Sequence, residues 1–296
     1  MQFFSKISLL VSRGFTLAII GVTVSSSIAQ AQTPRQTARQ STTSTLTPKI
    51  RFVQPKLAGN DVTFSGRRKG AASRGQCLAM GEPLTALVPA TWKYLGKPQE
   101  RSDLDAWEVI WGLTTSQSPT LWFFNPYALT NKLPVKFVLE SEQGRNIYKT
   151  SFMATGTKPG VISFRLPSKA VHLEFGKKYH WYFSIGCDAD APALVEGWVQ
   201  RVAINPALRS QLQKATTQQR VSLYAANGIW YDALARLAEL RVANPKDVML
   251  LNEWISLLDS VGLGTVARQP LRSTLQETTQ ISEIFPEKRQ LKPIAH

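Results

Sequence analysis

From Cys77 to Ile204 the apolar residues come in short runs cut by proline and glycine, and at Asn205-Pro206 the period changes to that of a helix. That switch limits the fold more than any other feature of the chain. Residues 84–88 end at Pro89, and residues 120–124 end at Asn125-Pro126. Residues 135–140 and 147–152 flank the turn Ser141-Glu142-Gln143-Gly144-Arg145, which reads as a β-hairpin. Residues 161–166, 179–186 and 194–204 complete about seven short strands with no helical period between them. The pattern predicts a mainly β fold, an antiparallel β-sandwich over residues 66–204, with helices after it.

Gly176 followed by Tyr179 matches the corner of immunoglobulin and fibronectin type III sandwiches, where a tyrosine hydroxyl bonds back to the backbone. The strand after it places Tyr179, Trp181, Phe183, Ile185 and Cys187 inward, with His180, Tyr182 and Ser184 outward. Beyond it, Asn205 is an N-cap with Pro206 at N1, and Thr216 or Thr217 caps a second helix. That helix stops at Asn227-Gly228, a third ends at Asn244-Pro245, and a fourth carries Val248, Leu251, Ile255 and Leu258 up to Gly262. The spacing of Tyr224, Gly228, Trp230, Ala233, Leu237, Leu240 and Pro245 resembles part of a tetratricopeptide repeat. Residues 205–263 hold one and a half such units, too few to stand alone, so they are expected to pack on the sandwich. Residues 264–296 keep no period and read as a disordered tail.

The first 31 residues read as an address. Lys6 and Arg13 precede an apolar stretch too short for a bilayer span, and Ala29-Gln30-Ala31 supplies the small residues of a cleavage site. Cleavage after Ala31 would leave a chain starting at Gln32, exported to the periplasm or beyond, with no transmembrane segment. Export also predicts a disulfide between Cys77 and Cys187, the two cysteines of the chain.

The net charge of +15 is concentrated near the start. Residues 32–76 carry nine basic residues against Asp61, a net +8, while residues 32–65 are rich in Ser, Thr, Gln and Pro and read as a disordered basic linker. The first reading of that charge is a solvated tether; since an exported chain does not routinely meet nucleic acid, anionic envelope polymers or lipid headgroups are the partners it would otherwise take.

The motifs 66–70 (GRRKG), 74–77 (RGQC), 83–89 (PLTALVP), 112–114 (GLT), 118–127 (SPTLWFFNPY), 181–187 (WYFSIGC), 195–202 (VEGWVQRV) and 224–240 occur in order. Together they resemble the exported cyanobacterial family known as the domain of unknown function numbered 928. The likeness covers about residues 66–263. It implies a periplasmic or cell-envelope protein and supplies no activity.

Catalytic signatures are thin. There is no G-x-S-x-G elbow, and the histidines are His172, His180 and His296, of which the first two flank the corner. Asp188, Asp190 and Glu196 offer too few ligands for calcium, and two distant cysteines do not make a zinc site. No metal, cofactor or catalytic residue is therefore expected. Glu196 beside Trp198 would be the acid of any glycan-acting enzyme. Most of the eight tryptophans sit on apolar faces, whereas Trp92, Trp107 and Trp111 lie outside the clear strands. They, with Arg67 and Arg68, are the candidate binding residues. The leading expectation is a non-catalytic binding or adaptor protein for another periplasmic or envelope protein. A module binding cell-wall or exopolysaccharide glycan and a glycan-acting envelope enzyme are the alternatives.

Overall fold

The computed structural model describes residues 49–56, 64–70, 81–94, 106–187, 192–275 and 283–284. They form two mixed β-sheets and a helical layer, with 36% of residues in strands and 26% in helices. The strands are β1 (Lys69–Gly70), β2 (Leu84–Ala86), β3 (Ala90–Tyr94), β4 (Ala106–Thr114), β5 (Thr120–Asn125), β6 (Pro134–Ser141), β7 (Asn146–Met153), β8 (Gly160–Arg165), β9 (Lys178–Ile185), β10 (Ala193–Arg201), β11 (Leu271–Leu275) and β12 (Glu283–Ile284). One sheet has the order β1-β2-β5-β8-β11 and the other β12-β7-β6-β9-β10-β4-β3.

The strands alternate as a half-buried sheet requires. In β9 every second residue from Tyr179 is buried, and Tyr182 and Ser184 turn outward. The two inner faces interlock through rings. Phe123 of β5 stacks on Phe183 of β9 at 4.0 Å, and Phe137 of β6 meets Phe164 of β8 at 4.5 Å. The hydroxyl of Tyr179 accepts a hydrogen bond from the backbone N–H of Glu174 at 3.1 Å, so the turn at Gly176 is tied back to its own strand.

The pairing departs from a purely antiparallel sandwich. β10 runs parallel to β4, with Trp198 opposite Trp111, and β11 runs parallel to β8. Residues 91–111, where the sequence shows no clear strand, hold most of β3 and the first part of β4.

The helices are α1 (Pro206–Lys214), α2 (Thr217–Ala226), α3 (Trp230–Ala243), α4 (Val248–Asp259) and the single turn α5 (Gly264–Ala267). Their starts follow local chemistry. Asn205 accepts from the N–H of Leu208, Thr216 and Gln219 form a reciprocal capping box, and Asp247 accepts from Met249 and Leu250. Gly228 ends α2 at φ +72°, where a side chain would also strike Pro55.

The helical layer sits on the outward face of the five-stranded sheet and is anchored by rings. Trp122 of β5 meets Trp254 of α4 edge-on at 6.3 Å. Trp230 donates from Nε1 to the carbonyl of Leu87 at 2.8 Å. Tyr231 reaches the core itself: its hydroxyl donates to the carbonyl of Trp198 and accepts from Trp181 Nε1, both at 3.0 Å.

Two stretches read as disordered contain ordered parts. Residues 49–56 of the expected linker lie against the helices. Ile50 is buried and its carbonyl accepts from Ser256, Phe52 meets Trp230 edge-on at 4.9 Å, and Val53 donates to the carbonyl of Ala225. In the expected tail, α5, β11 and β12 are formed. The reason is the same in both: these segments gain order from backbone pairing and a few apolar side chains docked on a distant surface, which no local period reports.

Candidate functional site

The residues singled out by sequence separate into two places. The first is the outward face of the seven-stranded sheet, where a segment made of residues 64–70 crosses between strands. Ser65 bridges Val109 of β4 and Arg67 bridges Glu196 of β10. Gly66 donates to the carbonyl of Glu108, while Arg67 and Glu196 exchange backbone hydrogen bonds of 3.1 and 2.9 Å. The segment therefore fills the gap where β4 and β10 no longer pair with each other. The glycines of GRRKG permit this. A Cβ on Gly66 would lie 2.8 Å from the Glu196 carbonyl oxygen, and one on Gly70 would lie 2.9 Å from that of Leu194.

Consecutive residues of that segment face opposite sides, so the two arginines have different fates. Arg67 is exposed. Arg68 is buried, and its Nη2 donates to the carbonyl of Val261 at 2.6 Å, just past the end of α4. Burial pulls its pKa down to about 10 against the opposing pull of Glu108. Arg68 thus joins the sheet to the helix C-terminus, where a cation meets orphan carbonyls.

Phe64 caps the aromatic residues. Its ring lies 5.0 Å from Trp111 and 5.8 Å from Trp198, and Trp198 Nε1 donates to the carbonyl of Ser65. Trp107 packs against the same group, with its Nε1 buried and unbonded among the described residues. Trp92 is apart from them: it lies on the opposite face of the sheet by register and is 60% exposed. The structure therefore brings Trp107, Trp111 and Trp198 together, burying the last two and half-burying Trp107, which leaves Trp92 as the most open of the candidate rings.

Beside that group lies a polar chain. His180 stacks on Trp198 at 4.3 Å, its Nδ1 is 2.9 Å from the Tyr182 hydroxyl, and its Nε2 is 3.2 Å from Glu196 Oε2. The last contact has the distance of an ion pair without hydrogen-bond geometry. Burial, with Glu140 and Glu196 nearby, pushes the Tyr182 phenol up to about 12, so it stays a proton donor at neutral pH. The arrangement could pass a proton, but none of the cavities described among these residues is lined by His180, Tyr182 or Glu196. Asp188 and Asp190 lie outside the described residues, as do Cys77, Ala29 and Ala31. Among the described residues no group of three His, Cys, Asp or Glu side chains could hold a metal ion.

The second place was not foreseen from sequence. A groove runs between α3 and the outward face of the five-stranded sheet. Its helical wall is Asp232, Ala235, Arg236, Glu239 and Val242, spaced by three and four along one side of α3. Its floor is Thr120, Trp122, Ser163, Arg165 and Thr274, which share one face of β5, β8 and β11. Asp232 fixes one end: its carboxylate accepts from Thr114 Oγ1 at 2.7 Å, the Thr115 N–H at 3.0 Å and the Thr115 hydroxyl. Burial pushes the Asp232 carboxyl up, and these hydrogen bonds hold it back. The helical spacing of small and polar residues on α3 was the available signal, but a solvated face has the same spacing.

A β-rich body with a helical layer and a groove between them is the class that fold and surface define. The family model described as Domain of Unknown Function (DUF928) matches residues 69–271, and the chain belongs to that family. No curated protein and no solved structure matches the chain. No helix among the described residues is long and apolar enough to cross a membrane.

Proposed function

We propose that this is an exported, non-catalytic binding or adaptor protein of the cell envelope, whose partner is another protein. The reading is carried by one observation. Val242 (61% exposed), near the end of α3, and Val248 (65%) and Met249 (51%), at the start of α4, are large apolar side chains left in water within eight residues of one another. Apolar side chains gathered on a surface mark a place where another molecule is covered. The finer fold reading supports it. The Tyr179–Glu174 bond is what an immunoglobulin- or fibronectin-like corner requires, and the α2–α3 pair turning at Gly228 is what a tetratricopeptide-like hairpin requires. Such hairpins present helical faces to partners.

A photo-crosslinking residue at Val248, expressed in the exporting cell, should give a discrete adduct with one protein. The Val248→Asp, Met249→Asp pair should reduce capture of that protein about tenfold without lowering the melting temperature. No adduct above the background of an exposed control position would overturn the reading. The glycan alternative has a residue in its favour, the exposed Trp92. Retention on purified peptidoglycan that is lost in Trp92→Ala would favour it, and glycan turnover lost in Glu196→Gln would favour an enzyme.

Export rests on Lys6, Arg13 and the Ala29-Gln30-Ala31 site. N-terminal sequencing of the protein recovered from the envelope fraction should read from Gln32. An intact Met1 would end that part of the proposal.

A further inference from the structure

The groove beside α3 has a chemistry of its own. Three cavities join along it. The first and second share Thr120, Arg165, Ala235 and Glu239, and the second and third share Val242. From Asp232 to Ala243 the helix rises about 16 Å, which an extended chain covers in about five residues. The depression is therefore long and narrow.

Its charges are unbalanced. The Asp232 carboxylate is occupied by Thr114 and Thr115, and Glu239 is paired with Arg236 at 3.1 Å. Three guanidinium groups have no carboxylate partner among the described residues. Arg165 is exposed at the sheet wall and makes no side-chain bond there. At the far end the guanidinium of Arg241 lies 5.2 Å above the Trp254 ring, with Nη1 buried and unbonded. Arg272, which lines the same end, donates only to the carbonyl of Pro159. Between these cationic ends Trp122, Ala235, Val242 and Ala243 supply an apolar stretch, beside Ser163 and Thr274, whose hydroxyls bond to each other at 3.0 Å. Trp122 adds an unbonded indole N–H in the floor and is 6% exposed.

We propose that this groove docks an extended segment of a partner protein, with a short apolar centre flanked on both sides by carboxylates. The inference rests on the binding-protein reading and names the chemistry of the partner. The apolar centre covers Trp122 and Val242, while the flanking carboxylates meet Arg165 at one end and Arg241 with Arg272 at the other. Bidentate guanidinium–carboxylate pairing fixes the direction and register that an apolar trough alone would leave open.

The test uses the full exported chain and a fluorescein-labelled probe peptide, Leu-Val-Leu-Val with two glutamates at each end, read by anisotropy. A second probe carries lysines in place of the glutamates. The acidic probe should bind at least tenfold more tightly, by about an order of magnitude per reversed contact, and should weaken as salt rises. Arg165→Glu should cost the acidic probe about tenfold, and Ala235→Trp, which fills the trough without changing charge, should abolish binding. Lys136→Glu, on the outward face of the other sheet, should leave binding unchanged. Equal affinity for the two probes, or acidic binding indifferent to Arg165→Glu and Ala235→Trp, would overturn the proposal. So would equal binding of a probe whose centre is Ser-Gly-Ser-Gly, because charge alone would then suffice and an anionic polymer would be the better occupant. A partner still crosslinked at Val248 when the acidic probe fails would sink the groove and leave the adaptor reading standing.

Discussion

Cut away from the sandwich, the fragment 205–264 is expected to melt weakly and without cooperativity when followed by circular dichroism. Its longest helix, α3, has 14 residues, about the length at which an isolated helix is marginal in water. What holds these helices is the surface beneath them. Trp230, Tyr231, Leu237, Trp254 and Leu258 are each 1% exposed or less, and they belong to one apolar cluster with Phe123, Trp181 and Phe183 of the sheets. Each large apolar side chain returned to water costs about 1.5–3 kcal/mol, so exposing these rings removes more than a segment of this size can hold in reserve. Tyr231 is the sharpest point of dependence, since its hydroxyl joins Trp181 and Trp198 inside the sandwich. In the full chain Tyr231→Phe leaves the buried Trp181 indole N–H unpaired and removes one bond from the Trp198 carbonyl, and urea unfolding should show a loss of about 1–3 kcal/mol. A sharp thermal transition in the isolated fragment would mean that the helices are held by one another and that the sandwich is not their support.

The same packing explains what could be read from the sequence. Strands β2 and β5 to β10 each show an apolar run or alternation because one face meets the core and the other meets water or a polar neighbour. β4 is covered on both faces: Ile110 enters the main core, and Val109 and Trp111 are sealed outside by Phe64. A strand buried on both sides loses its alternation, so AWEVIWGLT has no period to find. β11 reads as polar tail because its order comes from parallel pairing with β8, more than a hundred residues earlier. The start of α1 was legible to the residue and that of α2 to within one, since Asn205 and Thr216 act through atoms three positions away, whereas the Asp247 cap of α4 went unread. The candidate binding residues were harder. Arg67 and Arg68 are neighbours in sequence, yet only the depth of Val261 beneath the segment decides which is consumed. The groove is made by a helix face and a sheet face that come from distant stretches, and each wall alone looks like an ordinary polar surface.

A thiol reagent added to the unreduced, denatured protein should find nothing to titrate, because Cys77 and Cys187 are expected to be joined. Cys187 is 4% exposed just past the end of β9, on the inward register of that strand, and no described cysteine is free. Cys77 follows β1 by seven residues in sequence and lies outside the described residues. The position of β1 gives the bond its consequence. Residues 64–70 thread between β4 and β10 and are held by four short backbone contacts, the Arg68 clamp and a two-stranded pairing of β1 with β2. A covalent link a few residues further on would prevent this segment from peeling off the edge, and with it Phe64 from uncovering Trp111 and Trp198. The closed loop is about 110 residues long, and in the chain-entropy model such a loop is worth about 4–5 kcal/mol. For a chain of this size that corresponds to a fall in melting temperature of about 10–15 °C on reduction or in Cys187→Ser. The alternative is a pair of buried thiols packed as small apolar groups, for which Cys187→Ser would shift the melting temperature by only a few degrees. Two titratable thiols in the denatured, unreduced protein would decide for that alternative, and the segment 64–70 would then be held by its backbone bonds and Arg68 alone.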